Sequence, residues 1–167
     1  MPDPVKPGTN VGKAKIAVGA GVAAAMAVAV PLVAKWEGKR NDPYRDIIGV
    51  PTVCYGETHA TMRRYSDAEC VAMLETALLE RYTIPVIRCT PVLVDRPYQL
   101  AAAASLAYNI GTSAYCGSTA ARRFNSGDQI GGCRAIAFWN RAGGRVVQGL
   151  VSRRAYEVRV CLKGMPV

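Results

Sequence analysis

Residues 16–34 read IAVGAGVAAAMAVAVPLVA, nineteen consecutive positions without a charge, and this run limits the fates open to the chain more than any other feature. Its length matches a bilayer span, which needs roughly 20 residues. Its composition does not: ten of the nineteen are Gly or Ala, and Pro31 interrupts the end. The strongly apolar members (Ile16, Val18, Val22, Val28, Val30, Leu32 and Val33) contribute about −0.3 to −0.6 kcal/mol each on an insertion scale, or about −2 to −4 kcal/mol together. Such a segment inserts only marginally and is able to leave the membrane again. Lys6, Lys13 and Lys15 precede it against a single Asp3, a basic flank that reads as an export signal with its N-terminus in the cytoplasm. Three readings stay open: an uncleaved reversible anchor, a signal peptide cleaved at the small-x-small site Ala27-Val28-Ala29, and a buried helix of the soluble fold. A permanent anchor fits the weak hydrophobicity poorly.

The remainder alternates apolar and charged residues as a soluble domain does, and 167 residues suffice for one compact domain. The formal net charge is +9, which points to an anionic partner: nucleic acid, phospholipid headgroups or an acidic cell-wall polymer. The charge is dispersed, with pairs at Arg63-Arg64, Arg122-Arg123 and Arg153-Arg154, and each pair reads equally well as ordinary solvated surface. Six cysteines, Cys54, Cys70, Cys89, Cys116, Cys133 and Cys161, all follow the apolar run. In an exported domain they suggest three disulfides, with about fifteen connectivities open. There is no C-x-x-C pair and only one histidine, His59, so no zinc site is expected. His59 itself reads as a turn residue.

From Asn41 to Thr58, short aromatic and β-branched runs between Pro and Gly predict a small antiparallel sheet. Ser66-Asp67-Ala68-Glu69 forms a capping box, and Val71, Leu74, Leu78 and Tyr82 recur at helical spacing until Pro85 is expected to stop the helix. A second helix is expected from after Asp95 to Tyr108, its Ala101–Ala104 run suiting close packing. Shorter helices are expected over 118–125, 128–139 and 147–162. A small sheet followed by a mainly helical lobe is an α+β domain, and a cleft between the two parts is a natural ligand site.

Glycosidic hydrolysis needs a protonated acid for the leaving oxygen and a second carboxylate for the oxocarbenium ion or the incoming water. Glu37 follows Trp36 at the end of the apolar stretch, where partial desolvation favours its neutral form. Asp46 lies among turn residues, where an ionised carboxylate is cheaper, and Thr52 supplies a hydroxyl able to hold a water. On spacing alone, such carboxylates are more often surface salt-bridge or capping groups.

The motifs go further. Trp36-Glu37-Gly38, Tyr44-x-Asp46, Gly49 and Thr52-Val53-Cys54-Tyr55-Gly56-Glu57-Thr58 resemble the catalytic opening of phage-type lysozymes. There the acid is followed by the Asp after eight intervening residues and by the Thr after five more, as here. The likeness continues in Tyr108-Asn109-Ile110-Gly111, Gly117-Ser118-Thr119, Trp139-Asn140-Arg141-Ala142-Gly143-Gly144, Gly149-Leu150, Arg153-Arg154 and Glu157, covering residues 35–162. It implies an α+β lysozyme-like fold and a muramidase with Glu37 as general acid, Asp46 positioning the water and Thr52 assisting. An inverting displacement is what the family suggests. The N-terminus resembles the signal-anchor-release endolysins. That implies export by the host secretion machinery, tethering in the host inner membrane, and later release into the periplasm. The corresponding division is a basic flank and signal-anchor over 1–34 and a catalytic domain over 35–167. The resemblance implies four cysteines, so Cys89 and Cys116 are additional to it and a third bridge does not follow from it. With no cysteine in 16–34, activation is expected to work by refolding around Glu37 rather than by thiol exchange.

Among the other residues, Tyr44 reads either as a sugar contact or as sheet packing. Asn109 reads as a contact to a glycan N-acetyl group or, more commonly, as a helix C-cap. Trp139 reads as a core anchor, and Arg153, Arg154 and Glu157 as a salt-bridged helix face. The expected partner is peptidoglycan, with no cofactor, no nucleic acid and a monomeric state. The rival readings are a silent peptidoglycan-binding protein on the same scaffold, a host or virion wall-remodelling muramidase, and, from the charge alone, a nucleic-acid-binding protein.

Overall fold

The computed structural model describes residues 19–163 and 165. The basic flank with Lys6, Lys13 and Lys15, and the first residues of the apolar run, lie outside them. The rest of that run forms helix α1 (Ala20–Trp36). Val22, Ala25, Ala29, Leu32 and Val33 are buried at helical spacing, whereas Ala23, Ala24, Ala27 and Pro31 are exposed. The helix continues through Pro31 instead of being interrupted, because the ring sits on the wet face. There the carbonyl deprived of its N–H partner is able to reach water.

Helix α4 (Pro97–Ile110) is the centre of the fold, buried without a break from Gln99 to Ala107. Its alanines are flat enough for α1 to lie on one side and α8 (Gln148–Cys161) on another. Val22 and Ala25 join Val86, Leu93, Leu100 and Phe124 in the main core. Ala29 and Val33 join Leu74, Leu78 and Ala104 in a second cluster. Near the start of α1, a Cβ on Gly21 would stand 2.4 Å from the Val94 carbonyl oxygen. Only glycine permits that approach.

Strands β1 (Arg40–Arg45) and β2 (Pro51–Cys54) pair antiparallel, with Tyr44 opposite Thr52 and an irregularity between Arg40 and Tyr44. Their turn is closed by Gly49 at φ +84°, a left-handed conformation that glycine adopts without strain. Helix α2 (Asp67–Ala77) opens on the expected capping box, Ser66 and Glu69 each satisfying the other's backbone N–H.

Pro85 does not stop this helix. A π-helical turn (Leu78–Thr83) leads directly into α3 (Ile84–Cys89). Pro85 thereby falls in the first turn of α3, where a missing N–H is tolerated, and the Thr112 hydroxyl donates to the Arg81 carbonyl of the π-helical turn at 3.1 Å. Helices α5 (Thr112–Cys116), α6 (Thr119–Asn125) and α7 (Gln129–Ala135) follow, the last ending in a 3-10 turn at Ile136–Phe138. A two-residue hairpin of β3 (Arg141–Ala142) and β4 (Arg145–Val146) occupies the stretch before α8. The whole is an α+β, lysozyme-like arrangement of a small antiparallel sheet and a dominant helical part.

Of the fifteen or so pairings open to six cysteines, the fold selects Cys54–Cys70, Cys89–Cys116 and Cys133–Cys161. They tie the sheet to α2, α3 to α5, and α7 to the end of α8. Among the described residues, no helix is long and apolar enough to cross a membrane.

Candidate functional site

Glu37 is the residue on which α1 ends. Its backbone N–H donates to Val33 O at 3.1 Å, and its extended conformation sends the chain through Gly38 and Lys39 into β1. The helix therefore delivers the carboxyl to the junction of the helical part with the sheet. The side chain keeps about a quarter of its surface in solvent (26 %) and is held by Arg153, whose Nη1 donates to Oε1 at 2.8 Å. Next to it, Trp36 packs edge-on against Tyr156 of α8 at 6.2 Å between ring centres. Two contacts thus dock this end of α1 on α8.

Asp46 and Thr52 are brought together by one residue of the hairpin. Asp46 Oδ1 accepts the Val50 N–H at 2.8 Å and the Ile48 N–H at 3.0 Å. The Thr52 hydroxyl donates to the Val50 carbonyl at 2.9 Å. The carboxylate and the hydroxyl are thus fixed to the two polar ends of Val50. Thr52 is buried (3 % exposed), and with its proton committed to Val50, its oxygen is left as an acceptor.

Tyr44, across the ladder from Thr52, carries the Arg40 guanidinium over its ring at 4.7 Å. It belongs to the sheet while remaining half-buried. Asn109 is exposed and does not cap α4. The helix runs one residue further and closes on Gly111, while Asn109 Oδ1 accepts from Arg154 Nη2. Trp139 packs against the main core. His59 lies on the turn after β2, its backbone N–H donating to Glu57.

The salt-bridged face expected on α8 is buried. Arg153, Arg154 and Glu157 are 5 %, 1 % and 0 % exposed, on the inward stripe that also carries Cys161. Glu157 accepts from Ser105 of α4 at 2.6 Å and from Arg153 Nε at 3.2 Å, and pairs with Arg154 at 2.7 Å. Burial pushes the Glu157 carboxyl up against the opposing pull of Arg154, the Ser105 hydroxyl and Arg153. Burial likewise lowers Arg154, against the attraction of Glu157. The pairing of Arg153 with Glu37, 116 residues apart, has no local signature in the sequence. The inward positions of Arg153, Arg154 and Glu157 do have one, since they share helical spacing with Leu150 and Cys161.

Two further groups escaped sequence reasoning. The Tyr108 hydroxyl on α4 donates to Tyr55 O at 2.7 Å, and its ring lies 4.9 Å from that of Tyr82. Burial first, and then the nearby Glu37 carboxyl, raise the pKa of that hydroxyl, so it stays a neutral strap between helix and sheet. Glu57 on the turn after β2 pairs with Arg81 at 3.2 Å. Burial acts to raise its carboxyl, but the His59 N–H and Arg81 outweigh it and the net direction is down. Together these groups border a small cavity of about 50 Å³ between the sheet and α2. Among the described residues, no cluster of side chains suits a metal ion.

The chain is 40% identical over 134 residues to the SAR-endolysin of Bacteriophage PS119, covering 77% of each chain. It is 41% identical over 120 residues to that of Escherichia phage Mu, covering 71% of this chain and 69% of the relative. The active form of the P1 phage endolysin Lyz shares the fold, with a TM-score of 0.72 at 23% identity, over 83% of this chain and 85% of that one. Residues 34–157 match the phage lysozyme family model: the chain belongs to the phage lysozyme family and is a lysozyme-type glycoside hydrolase.

Proposed function

We propose that this protein is a signal-anchor-release endolysin that cleaves the β-1,4 linkages of peptidoglycan glycan strands for host lysis. Its chemistry uses Glu37 as general acid, Asp46 as the base that positions water, and Thr52 as the water's second contact. In this reading Glu37 gives its proton to the glycosidic oxygen as the bond to the anomeric carbon breaks. A water held between Asp46 and the acceptor oxygen of Thr52 attacks that carbon and passes a proton to Asp46. The observation that carries the reading is the clamping of Asp46 and Thr52 to the two ends of Val50, with Glu37 on the adjoining helix end. Tyr44 and Asn109 are assigned to the sugar-binding rim; for Asn109, whose Oδ1 is taken by Arg154, the side-chain amide donors are the groups left to bind. The family names of the relatives, SAR-endolysins of several phages, support the lytic assignment over a host wall-remodelling or virion role.

The N-terminal run is assigned to an uncleaved, reversible anchor. Cleavage at residues 27–29 would remove Val22 and Ala25 from the main core, so the released chain has a use for the whole helix. The tethered state then belongs to the host inner membrane, reached through the secretion machinery with the N-terminus cytoplasmic, and the released monomer to the periplasm. Zymography of the wild type beside Glu37→Gln tests the chemistry, and the N-terminal mass of periplasmic protein tests the anchor. A Glu37→Gln band that clears like wild type removes the catalytic assignment, and a mature N-terminus near residue 30 removes the anchor. A silent peptidoglycan-binding protein would bind purified walls and clear nothing.

A further inference from the structure

Around Glu157 the described groups form a buried electrostatic set in which Arg153 Nη2, Arg154 Nε and Nη1 and Glu157 Oε2 have no hydrogen-bond partner among the described residues. Glu157 Oε1 accepts from the Ser105 hydroxyl at 2.6 Å and from Arg153 Nε at 3.2 Å, and Oε2 lies 2.7 Å from Arg154 Nη1 as an ion pair. Arg153 is shared, because a different nitrogen of the same guanidinium, Nη1, donates to Glu37 at 2.8 Å. The second guanidinium reaches Asn109 through Nη2. The set holds two cations and, with Glu37 ionised, two anions. Of the other groups near Glu37, α4 presents Tyr108, and Lys35 on α1 leans over the Tyr156 ring at 5.3 Å. The hairpin carries Asp46.

Buried ion pairs contribute little net stability, and apolar residues of similar size hold helices together as well. What this set specifically produces is a guanidinium with one orientation. A planar fork held at Nε by one carboxylate has its Nη1 direction decided for it.

We propose that Glu157 is a positioning residue for the glycosidase reaction: it locks Arg153 so that Nη1 meets Glu37, and it cancels one of the two positive charges bearing on that carboxyl. The proposal rests on the assignment of Glu37 as general acid. With Glu157 made neutral, two guanidiniums act on a single carboxylate and favour its ionised form. The acid then loses its proton at lower pH, so the alkaline limb of the pH–activity profile moves down by about one pH unit, a roughly tenfold loss of rate on that limb. Neutralising Arg154 instead moves the limb up. Neutralising both restores the charge balance and returns the limb close to its starting point.

The test is the pH profile of kcat and KM on purified peptidoglycan at constant ionic strength, using the released full-length chain. Wild type, Glu157→Gln, Arg154→Gln and the double variant are compared, with melting temperatures measured in parallel. The expected order of the alkaline limbs is Glu157→Gln lowest, wild type and double variant together, Arg154→Gln highest, with KM little changed in Glu157→Gln. Superimposable normalised profiles, with only stability altered, overturn the proposal and leave Glu157 a packing group. Should Glu157→Gln fail to fold, the upward shift in Arg154→Gln and the unshifted double variant decide the matter. Wild-type clearing by Glu37→Gln would instead remove the underlying assignment, an outcome separate from any order among the limbs.

Discussion

Substituting Gly21 by alanine sets two effects on α1 against each other. In an exposed helix interior the change stabilises by about 1 kcal/mol through propensity. Here the new Cβ would meet the Val94 carbonyl oxygen at 2.4 Å, with Asp95 Oδ1 at 3.2 Å and Asp95 Cα at 3.3 Å behind it. The nearest of these is backbone, which cannot rotate aside as a side chain does. Either α1 lifts from α4 or the turn carrying Leu93 and Val94 moves. Overpacking of this kind costs about 1–3 kcal/mol, and lifting also loosens Val22 and Ala25, which are 3 % and 1 % exposed. The net expectation is a loss of up to about 2 kcal/mol, or up to roughly 8 °C in melting temperature for a domain of this size. Denaturant unfolding of the full-length chain measures it, with Ala24→Leu on the exposed face of α1 as the comparison. Ala24→Leu adds apolar surface without a clash and should leave the midpoint nearly unchanged. A Gly21→Ala protein more stable than wild type would refute the docking geometry, because propensity would then have won unopposed.

Three other outcomes follow from the same structure. Replacing Cys54 and Cys70 together by alanine opens a loop with a sequence separation of 16 and should lower stability by about 3 kcal/mol, seen as a lower denaturation midpoint that reductant no longer shifts further through this pair. Ser105→Ala deprives a fully buried carboxylate of the hydroxyl at 2.6 Å and should cost about 1–3 kcal/mol by thermal unfolding; a neutral result would mean that Arg153 and Arg154 alone satisfy Glu157. The Arg63 guanidinium first, and then the Ser66 N–H, hold the Glu69 carboxyl at about 2 instead of its ordinary 4.5. A depressed carboxyl stabilises the fold fully above pH 4.5, and that contribution fades as pH falls toward 2; Glu69→Gln should therefore flatten the acid side of a melting-temperature profile, and an unchanged slope would contradict it.

Local chemistry was legible where one short segment decides the outcome. The capping box at Ser66 and Glu69 needs only its own turn, and the hairpin around Gly49 only its own strands. Asp46 and Thr52 both bond to Val50 within the same hairpin, so what joins them likewise lies in one short segment. What remained hidden depends on partners distant in sequence. Pro85 looked like a terminator because the sequence does not show the π-helical turn that places it in the first turn of α3, where proline is tolerated. The cysteine pairing required knowing which helices touch. Arg153, Arg154 and Glu157 were read as a wet face because charged residues are seldom fully buried unless paired. Here the pairing runs to Ser105 and Glu37 on two other helices.

Under the proposed reversible anchor, the small residues of α1 answer two requirements with one property. Gly21, Ala25 and Ala29 let the helix lie against the alanines of α4 and the Val94 carbonyl, and each lowers the gain from membrane insertion relative to a larger apolar residue. A leucine-rich helix of equal length would hold the bilayer more firmly and would find no room on α4. The end of the helix adds the electrostatic half of the fit. Without α1, the inner stripe of α8 carries Arg153 and Arg154 against Glu157 alone. Glu37 brings the missing negative charge at 2.8 Å from Arg153. The carboxyl assigned to protonate the sugar linkage is therefore also the counter-ion that seats its own helix, so the docking that completes the fold also places the acid.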